Sequence, residues 1–231
     1  QLPSRVFGPA YKAPVTDGSG RDREPLQTAK KILEDAGWHV KNGKLINPHS
    51  GQPLTIEFLM YDPNELRSTG PFIKNLKKLG IEASARVVDS SQYAERLRSY
   101  DFDITTVVLA QSISPGNEQR EFWGSAAGER PESRNVMGIN SPVIDALIEN
   151  LIAAPTYEKL IPAVRALDRV LSWNFYVIPQ FHAAFDRIAY WNKFDHTDIN
   201  PSQGPDILSW WVNPEKEARL REGLKKLKEK E

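Results

Sequence analysis

The sequence contains no cysteine among its 231 residues. That absence excludes disulfides, thiolate nucleophiles, Cys-ligated zinc and iron–sulfur clusters together. Its four histidines, His39, His49, His182 and His196, are scattered, with no pair at i, i+3 or i, i+4. A histidine-built metal site is therefore not expected. Net charge is also missing: 30 Lys+Arg face 30 Asp+Glu. The general phosphate attraction of nucleic-acid binders needs a basic excess, so no nucleic-acid partner is expected. No apolar run approaches the roughly 20 residues needed to span a bilayer. No basic stretch followed by an apolar one comes after Gln1, so no signal peptide is visible, and the start reads as a processed or truncated end. Neither G-x-G-x-x-G nor a P-loop pattern occurs. Gly18-Ser19-Gly20 before a helix has the look of an anion nest but follows no strand, and reads as a flexible turn.

What is present is an ordinary globular balance, 40% apolar and 26% charged. Residues 1–23 read as an irregular leading segment broken by Pro3, Pro9 and Pro14. A helix is predicted over 24–36, with Asp22 as cap, Pro25 in the first turn and Gly37 as stop. Asn42-Gly43 signals a hairpin. Leu54, Ile56, Phe58 and Met60 alternate as a strand. A helix over 64–79, bent or begun at Gly70-Pro71, leads to a strand over 81–88. A helix over 90–99, capped by Ser90 or Ser91, leads to an apolar strand over 102–109, expected at the centre of the sheet. This order is α/β. Helices follow at 142–153 and 157–173, the second kinked or started late by Pro162. Strands are expected over 176–181 and 185–191, and 214–231 reads as a charged amphipathic helix or a frayed end.

The segment after the 102–109 strand is the most informative. Within 110–124 it gathers Gln111, Ser112, Ser114, Asn117, Glu118, Arg120 and Trp123. Open α/β sheets bind ligands beyond the carboxyl ends of their strands, and this inventory suits a polar ligand with charged ends. A serine nucleophile, Ser112 or Ser114 with His182, is the competing reading, although the G-x-S-x-G elbow is missing. The aromatic cluster from Trp173 to Phe194 reads as core under a sheet edge or as a stacking surface for sugars or bases.

The series Ala29–Trp38, Asn42–Leu45, Gly51–Leu59, Leu76–Ala83, Asp89–Tyr93, Tyr100–Asp103, Leu167–Leu171 and Val177–Pro179 resembles the extracellular solute-binding proteins of family 5. These are peptide-binding subunits of ABC importers. Ser114–Ser125 is most similar to the branch that imports microcin C and related oligopeptides. The resemblance implies an α/β lobe of the periplasmic-binding-protein type (class II, cluster C-like), with a mixed sheet flanked by helices. It implies a partial chain matching the family's C-terminal portion, lacking an N-terminal lobe of the same protein. It implies no catalysis and no cofactor, a periplasmic or membrane-associated extracellular location, a peptide or peptide-like ligand, and an inner-membrane permease as partner. Residues 24–190 would form the ligand-binding lobe, and 191–231 a return segment toward the other lobe with its charged tail.

On that resemblance Gln111, Ser112, Ser114, Asn117, Glu118 and Arg120 line the cleft, Trp123 supplies an apolar wall, and Asn135 sits on the following loop. One departure stands out. General peptide binders place an Asp after the strand matching 103–109, where Gln111 and Ser112 stand here. Glu118 would then receive the ligand's amine, or the ligand is blocked or modified. A ligand-free scaffold is a third reading.

Overall fold

In the computed structural model, which describes residues 2–19, 23–180, 185–198 and 204–229, the alternating run before Tyr61 becomes the centre of a parallel sheet. Helix α1 (Glu24–Asp35) comes first, and Gly37 takes the left-handed backbone that ends it. The expected cap, Asp22, lies outside the described residues. Strands β1 (His39–Lys41) and β2 (Lys44–Ile46) form an antiparallel hairpin whose turn residues Asn42 and Gly43 both have positive φ, as a type I′ turn requires.

Strand β3 (Thr55–Met60) runs parallel to its neighbours on both sides. Helix α2 (Leu66–Lys78) crosses from it to β4 (Glu82–Val87), and α3 (Ser90–Arg98) crosses back to β5 (Ile104–Thr105), giving the order β4-β3-β5. Long helical crossovers are what parallel pairing needs. One face of the sheet carries Phe58, Met60 and Ala83 against Ile73 of α2, with Leu45 of the hairpin completing the cluster. The other face carries the fully buried Leu59 beside Glu57. There Arg96 of α3 bonds Glu57 Oε1 at 3.0 Å and Asp101 Oδ2 at 2.9 Å. The antiparallel component stays in the hairpin, which joins the sheet's end through Leu54 N–H to Leu45 O and Leu45 N–H to Gly80 O.

Four expectations change. The strand expected over 102–109 pairs only at Ile104–Thr105 and lies at the sheet's edge. The centre is β3, whose Phe58, Leu59 and Met60 are all buried, whereas Val108 is 93% exposed. Helix α3 is capped by Asp89, whose Oδ1 accepts from Ser91 N–H and Gln92 N–H, not by a serine. Helix α2 is already formed before Gly70-Pro71, following a 3₁₀ turn, Pro63–Glu65, so it does not begin there. No strand forms among the described residues of 176–180 and 185–191. Pro179 lacks an N–H to pair, and Ile178, Phe185 and Trp191 are exposed with no strand alongside.

Helices α4 (Glu118–Trp123), α5 (Ser125–Gly128), α6 (Pro142–Ile152) and α7 (Tyr157–Trp173) form a second core within the same unit. Helix α7 starts at Tyr157 despite Pro162, so the late start is excluded. Val6 of the leading segment is buried in this core, and Arg169 of α7 donates to the carbonyls of Val6 and Gly8.

This unit ends at Ile178, and a second begins at Pro179. In the second, β6 (Phe194–Asp195) pairs antiparallel with β7 (Trp211–Val212). Helix α8 (Pro214–Lys228) follows, capped by Asn213. No described helix is long and apolar enough to cross a membrane.

Gly80 joins hairpin to sheet. Its φ is +85°, and a Cβ there would stand 2.9 Å from Leu45 N. Gly80→Ala should therefore cost about 2–3 kcal/mol in urea denaturation. Gly43→Ala, with φ +79° and open space around it, should cost only about 1 kcal/mol. Equal losses would mean that the close approach does not matter.

Candidate functional site

The parallel strands end toward Tyr61, Val88 and Thr106, and the chain leaves β5 into an exposed loop, 106–117. Leu109 turns back against the helical core, while Val108, Gln111, Ser112, Ile113 and Ser114 are exposed. Ser112 Oγ accepts from the Ser114 N–H at 3.2 Å, a local turn that shapes the tip. No histidine is bonded to either serine among the described residues, and His182 lies outside them.

The loop stands on a bonded base whose hub is Gln119, a residue the sequence reading passed over. Gln119 is buried, and its Nε2 donates to Gln111 Oε1 at 2.7 Å and to Glu118 Oε1 at 3.2 Å. Its Oε1 accepts from the Trp123 indole N–H at 2.9 Å, one helical turn on. Glu118 Oε1 also takes the Gly116 N–H at 2.9 Å. Partial burial pushes Glu118 upward. The N–H groups of Gly116 and of Glu118 itself, with the Gln119 amide, outweigh that and hold it below the usual glutamate value. Arg120 donates to Asn117 Oδ1 at 2.7 Å and grips Glu149 of α6 with Nε and Nη2, at 2.7 and 2.6 Å. Hydrogen bonding from Arg120 holds Glu149 below its ordinary value.

Asn135 lies apart from this group, fully buried beneath the following loop. Its Nδ2 donates to Gly124 O at 3.0 Å and Ile139 O at 2.9 Å, and its Oδ1 accepts from Ile139 N–H at 2.9 Å. Tyr100 reaches the same loop, donating to Gly128 O and Asn135 O, each at 3.0 Å. Of the eight singled-out residues, Gln111, Glu118 and Trp123 thus join one network around Gln119, and Asn117 and Arg120 a second one with Glu149. Ser112 and Ser114 sit at the exposed tip, and Trp123 and Asn135 are buried. The signal for Gln119 was available: it stands four residues before Trp123, the spacing that puts two side chains on one helix face.

A second group at the strand ends was also missed. The Tyr61 and Tyr93 rings lie 4.9 Å apart. Tyr93 Oη shares a 2.9 Å hydrogen bond with Thr105 Oγ1. Among the described residues no group of three or more His, Cys, Asp or Glu could hold a metal.

Residues 3–130 match the family model of the bacterial extracellular solute-binding proteins, family 5, middle part. The chain is 44% identical over 214 residues to a "probable peptide-binding protein YejA" of Agrobacterium fabrum, covering 91% of this chain and 34% of that protein. It is 40% identical over 220 residues to YejA of Escherichia coli, covering 95% of this chain and 36% of that protein. The chain thus spans about a third of the length of the curated relatives it matches. Its fold matches the oligopeptide-binding protein AppA of Bacillus subtilis, solved in complex with a nonapeptide, at a TM-score of 0.61. That likeness, at 18% identity, covers 81% of this chain and 37% of AppA, and shows the fold alone.

Two outcomes follow from the bonded base. Asn135→Ala strands three buried backbone groups and should cost about 3 kcal/mol or more in denaturation followed by tryptophan fluorescence. Glu118 is held ionised by the fold. Its support of the turn is complete above the ordinary glutamate range and is lost as pH falls through its lowered value. Acidification should therefore loosen the Gly116–Gln119 turn in the parent chain, seen by NMR as loss of the Gly116 amide's protection, and Glu118→Gln should abolish that pH step.

Proposed function

The chain belongs to the bacterial extracellular solute-binding proteins of family 5, and from that premise we propose that it forms the ligand-binding lobe of a periplasmic ABC-importer receptor. Its cargo is a peptide or a peptide-like conjugate of the microcin C type, handed to a permease in the inner membrane. Residues 24–190 bind the cargo. Residues 191–231 return toward a second lobe supplied by the rest of the receptor.

The observation that carries this reading is the loop 106–117 itself. It presents hydroxyls and amides to solvent directly beyond the carboxyl end of a parallel strand, on a base that is internally satisfied. Such a surface hydrogen-bonds a ligand backbone without selecting side chains. Gln111, Ser112, Ser114 and Asn117 make those contacts. Glu118 and Arg120, engaged with Gly116 and Glu149, fix the loop's shape and offer their remaining edges. Trp123 backs the network as its apolar wall, and Asn135 fixes the loop behind it. Peptide cargo is further supported by the name of the Agrobacterium relative and by the nonapeptide held by AppA. The conjugate branch is supported by the Ser114–Ser125 segment.

Calorimetry on the complete receptor with short oligopeptides tests this. Ser112→Ala, Ser114→Ala and Asn117→Ala should each weaken binding about 3–10-fold, with unchanged thermal stability. Peptide affinity unchanged by all three substitutions together would remove the loop from the site.

A further inference from the structure

Strand β5 stands between two cores that share no residue. The sheet core gathers Phe58, Met60, Ile73 and Ala83, and the helical core gathers Phe122, Ile144, Ile148 and Leu167. The chain passes from one to the other just beyond β5. Thr105 belongs to the sheet: its Oγ1 donates to Leu59 O at 3.1 Å and shares a hydrogen bond with Tyr93 Oη. Leu109 already packs on the helical core. Residues 106–108 lie between, with Val108 93% exposed. The four Cα steps from 105 to 109 reach at most about 14 Å. A tether that short passes any shift of one core against the other straight to the loop 106–117.

A second crossing lies before the amino end of β5. Tyr100 follows α3 with a left-handed backbone, φ +54°, a costly conformation for a side chain of its size. Its hydroxyl stands 3.0 Å from both Gly128 O and Asn135 O, on the helical side. One proton serves two acceptors there, a three-centre bond. Asn135 is the residue whose side chain ties Gly124 to Ile139, so the hydroxyl reaches the node that holds the loop from behind. Close packing does not join the two sides beside it. A cavity of about 290 Å³ opens there, lined by Ala94 and Leu97 of α3 and by Ser133 and Val136 of the facing loop. Arg98 Nη2 and Glu132 Oε1 also meet across the gap, at 3.2 Å, but both side chains are exposed and such a pair holds little.

We propose that Tyr100 is a positioning residue for the ligand loop: its hydroxyl pins the helical core to the sheet at the amino end of β5, and together with the short tether 106–108 at the carboxyl end it fixes the shape of 106–117. This rests on reading 106–117 as the ligand loop. A single crossing is a hinge, whereas crossings at both ends of one strand make a fixed joint. Where a cavity takes the place of packed side chains, the hydroxyl supplies the hold that apolar contact supplies elsewhere. The left-handed backbone at Tyr100 is the local cost of aiming the ring across the gap.

The absence of native cysteine allows spin labels at Lys74→Cys on α2 and Asn150→Cys on α6 of this chain. Their distance distribution, read by double electron–electron resonance, reports how the two cores sit. The parent should give one narrow distribution. Tyr100→Phe keeps the ring and removes the hydroxyl, and should broaden it about twofold, with helix content by circular dichroism unchanged. Glu132→Gln, which removes the exposed ion pair, should keep the parental width. In calorimetry on the complete receptor, Tyr100→Phe should weaken oligopeptide binding about 3–10-fold, although Tyr100 is not in the loop. A parental width in Tyr100→Phe, or a broadened one with parental oligopeptide affinity, overturns the proposal. Broadening by Glu132→Gln alone assigns the hold to the ion pair and overturns it too. If the widths behave as expected but the complete parent receptor binds no oligopeptide, the functional reading fails and the joint at Tyr100 stands.

Discussion

A strand buried on both faces can satisfy its backbone only sideways, and β3 is such a strand. Phe58, Leu59 and Met60 have almost no exposed surface, so every N–H and C=O there must find a neighbouring strand. Parallel partners on both sides meet that demand, and parallel partners require crossovers. Helices α2 and α3 supply them, and each crossover lands on a different face. Helix α2 closes the apolar face with Ile73. Helix α3 is held to the opposite face by Arg96, whose side chain is mostly buried between Glu57 and Asp101. All three strands then release their chains at one end, and the turns carrying Tyr61, Glu65 and Thr106 converge there. The location of the candidate site is a consequence of pairing around β3.

Beyond the sheet, buried amides take over the organising work. Residues 110–141 contain little regular structure, and a stretch of that kind costs conformational entropy with few ladder bonds to offset it. Gln119 and Asn135 supply what the ladders do not. Each places a two-sided hydrogen-bonding group inside apolar surroundings: Gln119 bridges the loop to the Trp123 indole, and Asn135 bridges Gly124 to Ile139. A buried polar network is favourable only when every member is satisfied, which makes these contacts selective for one conformation. Gly124 shows how tight the result is, since a Cβ there would stand 2.6 Å from Arg120 O.

Much of this was legible in the sequence, and the failures share a cause. The hairpin, β3, α2, β4, α6 and α7 follow from local signals: Asn42-Gly43, an alternation of apolar residues, and stripes at helical spacing. Residues 102–109 have the same apolar content as β3 but leave the sheet after Thr105, because pairing depends on a neighbour and not on composition. The described residues of 176–180 and 185–191 fail in the same way. At the site, the position beyond the strands was readable, whereas the use of each side chain was not. Glu118, Arg120 and Asn135 look like ligand contacts in an inventory, yet much of their hydrogen-bonding capacity is engaged by Gly116, Glu149, Gly124 and Ile139, partners set by the fold.

That division between spent and unspent groups carries the functional argument further than the fold does. Polar side chains that face water already hold hydrogen bonds to it, so exchanging them for a ligand's bonds yields little net free energy on an open surface. The gain becomes large when a second surface excludes water from the same contacts and the donors and acceptors are already in place. In this chain Gln119 fixes Gln111, the Ser114 N–H fixes Ser112 and Arg120 fixes Asn117, so the exposed groups are held in position while remaining wet. A surface prepared in this way is suited to being closed over. On the proposed reading as one lobe of a peptide receptor, that combination supplies rigid polar contacts here and leaves the affinity to closure.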